Sequence, residues 1–222
     1  MALTKFNYNS FDLTTAASKG LAFNSSANGF ETSSAGSMTL IKTLTASSSS
    51  TLSFVDGSSS VVLDNTYPVY VFKFINIHGA TKHAHFTFNM STDSGSNYNV
   101  TKTTTYFHAA NNEGDSATEV AYQTPSDLAQ STDFHRLTNF LNIQNDGSCS
   151  GTLTLFNPSS TTFVKHFIST SNSMSYTSDP YSLNPFTAGY GNTTSTVDAI
   201  QFKMSSGNID AGTIKLYGIK DS

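Results

Sequence analysis

From residue 37 onward, apolar residues recur at every second position in short runs, cut by Gly, Pro, Asp, Asn and Ser. Such a period predicts strands with one covered face. It places them over 37–45, 51–55, 61–64, 69–77, 83–90, 100–108, 134–143, 152–156, 163–169, 196–204 and 212–219. The run 69–77 is nearly continuous in apolar and aromatic side chains and is expected near the middle of a sheet covered on both faces. Over 83–90 the alternation puts Ala84, Phe86, Phe88 and Met90 on one face, and His83, His85, Thr87 and Asn89 on the other. The stretch 109–131 is polar and reads as a long loop or a short helix, and 171–192, with its Pro and Gly residues, as a surface loop. About ten short strands, no three-turn helical pattern and no internal repeat predict an all-β fold, an antiparallel β-sandwich of jelly-roll type.

Residues 1–36 lack this pattern and are rich in Ser, Ala, Asn and Gly. They read as an extended N-terminal arm ahead of a single sandwich domain over 37–222. Phe6, Tyr8, Phe11, Leu13, Leu21, Phe23 and Phe30 give the arm apolar anchors, which predicts docking on its own domain or on a neighbour.

Composition refines the picture. The 17 Phe and 10 Tyr predict an aromatic core, suited to strands. Ser and Thr make up roughly 30% of the chain, while charged residues reach only 12%. A hydroxyl-rich surface with little charge repels neighbouring copies weakly and suits close packing in an assembly. A net charge of −4 and a lone arginine, Arg136, leave no basic face for nucleic acid. Met1 to Asn7 carry no apolar run of the kind a signal peptide needs, and no stretch is apolar enough to span a membrane. The expected place of synthesis is a cytosol. The single cysteine, Cys149, has no partner for an intrachain disulfide.

Candidate chemistry is sparse. His83 and His85 share one strand face in the expected alternation, with His78 just upstream, which is a metal-like spacing. A cupin-type set needs a Glu soon after, yet Phe86 to Met90 contain none, so the alternative is solvent-facing histidines. No nucleophile elbow, zinc-protease helix, phosphate-binding Gly-rich loop or paired Cys motif occurs. A glycosidase pair would have to come from Glu31, Glu113, Glu119 or the turn aspartates. Tyr98, Tyr106, Tyr176, Tyr181 and Tyr190 are candidates for stacking on sugars, or else for filling the sandwich and its contacts. The expectation is a protein without catalytic residues or cofactor.

Several longer segments carry a resemblance. Gly20 to Asn24, Ser37 to Leu44, Tyr67 to Ile77, Leu155 to Thr162 and the ending Ala199 to Ile219 resemble a family of virion structural proteins of marine tailed phages, of the cyanophage and pelagiphage kind. The likeness runs over nearly the whole chain, although His78 to His85 departs from the family's usual sequence after Ile77. It implies a protein of the virion, either a capsid decoration or cement protein or a head or tail fibre that binds a receptor or glycan. The partners so implied are further copies of the chain (as a trimer, for example), the major capsid protein or other virion proteins, and a host surface glycan.

Overall fold

The computed structural model describes residues 19–23, 26, 30–34, 37–175 and 178–220. The described residues form strands and no helix. One sheet has eight strands in the order β3 (Met38–Thr45), β14 (Ile209–Ile219), β5 (Val69–Gly79), β10 (Cys149–Phe156), β11 (Lys165–Met174), β12 (Tyr181–Gly191), β7 (Lys102–Asn112) and β8 (Thr118–Tyr122). The other has four, in the order β4 (Leu52–Val55), β13 (Ala199–Met204), β6 (Phe86–Ser91) and β9 (His135–Arg136). Every pairing is antiparallel. A separate hairpin joins β1 (Lys19–Phe23) to β2 (Phe30–Ser34), where the Phe23 and Phe30 rings stack 5.0 Å apart. The arm anchors Phe6, Tyr8, Phe11 and Leu13 lie outside the described residues.

The two sheets pack face to face as the expected antiparallel sandwich, around the expected aromatic core. Phe72 and Phe74 of β5 and Leu153 and Leu155 of β10 face Phe54, Phe86, Phe88 and Phe202 of the smaller sheet, all buried. Phe202 is the hub, with ring centroids 5.4–5.7 Å from Phe72, Phe74 and Phe86 and 6.3–6.4 Å from Phe54 and Phe88. Strand β5 is fully covered on one face only: on the other, Val71 is buried, but Lys73 is half-buried and Ile75 is 40% exposed. Its unbroken apolar run reflects a bulge at Asn76 (φ 51°), which shifts the phase so that Ile77 turns back into the core.

The two hairpins β7–β8 and β11–β12 lengthen the larger sheet beyond the reach of the smaller one. Chain from residues 123–148, in which the two-residue β9 is the one strand, lies beneath this extension. A loop backbone has donors and acceptors that no ladder satisfies, so the sheet beneath it must supply partners. It does so with hydroxyls: Leu128 N–H donates to Thr104 Oγ1 at 2.8 Å, and Ser171 Oγ donates to the Leu137 carbonyl at 2.9 Å. Part of the Ser/Thr content expected on the surface is therefore interior, with Ser169, Ser171, Ser173, Thr104 and Thr187 all buried.

Further segments differ from their sequence reading. Residues 61–64 are not a strand: Val61 and Leu63 plug the core from a turn held by Asp56, whose Oδ1 accepts the Leu63 N–H at 2.8 Å. Within 134–143 only β9 is a strand, and the chain then turns at Phe140 (φ 46°) to a lone bridge between Leu141 and Ser175. The stretch 109–131 contains the end of β7 and all of β8, and 171–192 contains the end of β11 and the interior strand β12. In β6 the expected polar face is covered too: Thr87 and Asn89 are as buried as their aromatic neighbours.

Candidate functional site

A cleft of about 410 Å³ opens where β7, β8 and β12 meet the turn carrying Phe140. The strand period presents His108 of β7 on the inner face, and Glu119 of β8 reaches it across the pair. His108 Nε2 lies 2.8 Å from Glu119 Oε1. The other ring nitrogen, Nδ1, is buried with no hydrogen-bond partner. Phe140, 48% exposed, forms a wall with His83, and Tyr181 of β12 also lines the cleft. Gln123, Asn139 and Ser175 supply neutral polar groups. An aromatic wall with a few convergent polar groups suits a small polyhydroxylated ligand.

His85 holds that wall. Its Nδ1 accepts the Phe140 N–H at 3.3 Å and its ring lies 5.2 Å from the phenyl ring. Burial first, then the Arg136 charge, pushes its pKa down to about 4. A neutral imidazole whose Nδ1 is occupied serves as a support. His83 has left-handed backbone (φ 63°) before β6 begins, so His83 and His85 do not share a strand face. His78 is elsewhere, at the end of β5, with Nδ1 3.5 Å from Asp210 Oδ2 and a ring nitrogen 3.2 Å from the Gln144 carbonyl. The structure does not bring the three together, and among the described residues no group of three or more His, Cys, Asp or Glu is placed to hold a metal.

The other candidates separate as well. Glu119 is the one carboxylate lining the cleft, and Glu113 lies in a different hollow beside Asp115. Tyr106 is buried and Tyr176 lies outside the described residues, leaving Tyr98 half-buried in the loop after β6, Tyr181 in the cleft and Tyr190 in a hollow on the outer face of the larger sheet. Cys149 is in the core, where burial pushes its thiol up to about 12, far from a reactive thiolate. His108, Phe140, Lys102 and Asn89 carried no motif. The alternation from Lys102 to Asn112 was the one signal that His108 and Lys102 face inward.

That outer face is a second candidate. Phe107 and Phe186, register partners in β7 and β12, stack 5.2 Å apart and are 41% and 37% exposed. Tyr122 stands opposite Phe107 on β8, and Ile168 and Phe156 continue the apolar area across β11 and β10. Beside them a hollow of about 450 Å³ forms over Gly189, between Tyr190, His166 and Phe156.

No family model, no curated protein and no solved structure matches this chain.

Proposed function

We propose that the protein is a virion structural protein of a tailed phage, a capsid decoration or cement module that works by self-assembly and by clamping neighbouring capsid subunits. The observation that carries this reading is the outer face of the larger sheet, with Phe107, Phe186, Ile168 and Tyr122 in adjacent strands, each more than a third exposed. Contiguous exposed aromatic area of this kind marks an interaction surface. Low charge and the resemblance of Tyr67 to Ile77 and Ala199 to Ile219 to phage virion proteins agree with it. So does the strand order. Setting the two extra hairpins aside, β3-β14-β5-β10 against β4-β13-β6-β9 is the paired Greek-key connectivity of a jelly roll, a fold common in capsids. Cryo-electron microscopy of the particle tests the reading: hundreds of copies on the head are expected, and absence from purified particles overturns it.

The cleft at Phe140 favours a second reading, a fibre-type domain that binds a host surface glycan. A glycan array with the full chain tests it, with Phe140→Ala expected to abolish any signal seen. A few copies at the tail would favour this reading over the first.

A further inference from the structure

Three polar side chains are fully buried where β6, β7 and β9 converge: Asn89, Lys102 and His135. A buried ammonium ordinarily faces a carboxylate. Among the described residues none stands within ion-pair distance of Lys102. Its Nζ instead lies 2.6 Å from Asn89 Oδ1 and 2.8 Å from the Val100 carbonyl. Burial pulls its pKa down to about 7, against the opposing charge of Asp133, so much of the amine is neutral near neutral pH and has a free lone pair.

The Asn89 carboxamide is held at every polar valence. Oδ1 accepts the Met90 N–H at 2.8 Å in addition to Lys102, and Nδ2 donates to the carbonyls of Tyr98 at 2.7 Å and Thr132 at 2.8 Å. The amine touches Oδ1, the atom bonded to Cγ, and neither side chain meets water. Desolvation activates a lysine nucleophile, and fixed contact raises its effective concentration against the carbonyl.

We propose that Lys102 and Asn89 become joined by an intramolecular isopeptide bond between Nζ and Cγ. The neutral amine attacks Cγ, and the carbonyl electron pair moves to Oδ1, where the Met90 N–H stabilises the negative charge. One proton passes from Nζ to Nδ2, the Cγ–Nδ2 bond breaks, and ammonia leaves as the carbonyl reforms. The reaction consumes no oxidant or cofactor. His135 is buried at the same place, kept neutral first by its own burial, with its Nε2 lacking a hydrogen-bond partner. The bond ties β6 of the smaller sheet to β7 of the larger, so the two layers of the sandwich become one covalent unit. This inference does not depend on the proposed function.

Intact mass spectrometry of the folded full chain tests it. The expected mass is that of the sequence less one ammonia, with trypsin failing to cut after Lys102 in the denatured chain and one fragment running from His83 to Arg136. The variants Lys102→Met and Asn89→Ala are expected to keep their full sequence masses. A wild-type chain at full mass with Lys102–Thr103 cleaved overturns the proposal. So does ammonia loss that maps to any other asparagine.

Discussion

The rings of Phe107 and Phe186 lie on neighbouring strands, 5.2 Å apart and inclined by 26°, on a sheet face that no other part of the described chain covers. Stacking leaves the outer sides of both rings in water, an arrangement that gains most when a second apolar surface closes over it. If this face carries self-association, Phe107→Ser with Phe186→Ser shifts the chain to a smaller species in sedimentation velocity. The fold loses no more than about 1 kcal/mol, because the rings contribute one exposed cross-strand pair. An unchanged sedimentation profile at the same concentration would remove this face from the assembly.

Phe202 behaves oppositely. Its ring touches aromatic partners in both sheets and is fully buried, so Phe202→Ala opens a cavity at the centre of the sandwich. A buried Phe-to-Ala change costs about 3–5 kcal/mol. The urea midpoint is expected to fall accordingly, and a loss near that of a surface substitution would mean that the sheets do not pack through this residue.

Much of this core was legible in the sequence, because alternation is a local signal. Phe86, Phe88 and Phe202 fall on inner faces that a period of two identifies, whereas Phe72 and Phe74 lie in a run too continuous for the sequence to assign them a face. The covering of Thr87 and Asn89 was not legible, because it comes from chain far away in sequence, such as the Thr132 carbonyl on Asn89 Nδ2. The cleft was hidden for the same reason: His108, Glu119 and Phe140 meet only through the topology. Strand β12 was hidden by its own composition, since Pro185, Gly189 and Gly191 are residues that interior strands avoid.

His135 and His85 make the fold sensitive to mild acid. Burial is the larger cause in both, and it pushes their pKa values to about 3 and about 4, below the 6.5 of an exposed histidine. The unfolded chain thus takes up protons below pH 6.5 that the fold refuses. Stability is full above that pH and is lost as the pH falls toward 4, by up to ~1.4 kcal/mol per pH unit for each histidine and less for the half-buried His85. Asp93, held at about 2 by hydrogen bonds from Ser91 and Asn97, adds nothing in that window. Urea unfolding at successive pH values should show the slope, reduced in His135→Gln. A flat profile over this range contradicts the burial of both rings.

Pro185 sits in an interior strand, between β11 and β7, where a missing N–H should cost a ladder bond. The Asn192 N–H donates to Thr101 of the chain leading into β7, so even-numbered residues of β12 face β7 and odd-numbered ones, Pro185 included, face β11. The carbonyl left without its donor is that of Ser171, where the β11–β12 register lapses between Thr170↔Phe186 and Ser173↔Leu183. Asn184 Nδ2 donates to that carbonyl at 2.6 Å. The side chain thus replaces the backbone donor that proline lacks. Asn184→Ala is expected to cost about 1–3 kcal/mol, the penalty of an unsatisfied buried carbonyl. In a Pro185→Ala background, which restores the N–H, the same substitution should cost much less. A double-mutant cycle in urea reads the difference as coupling between the two positions, and additive losses would show that Asn184 and Pro185 act independently.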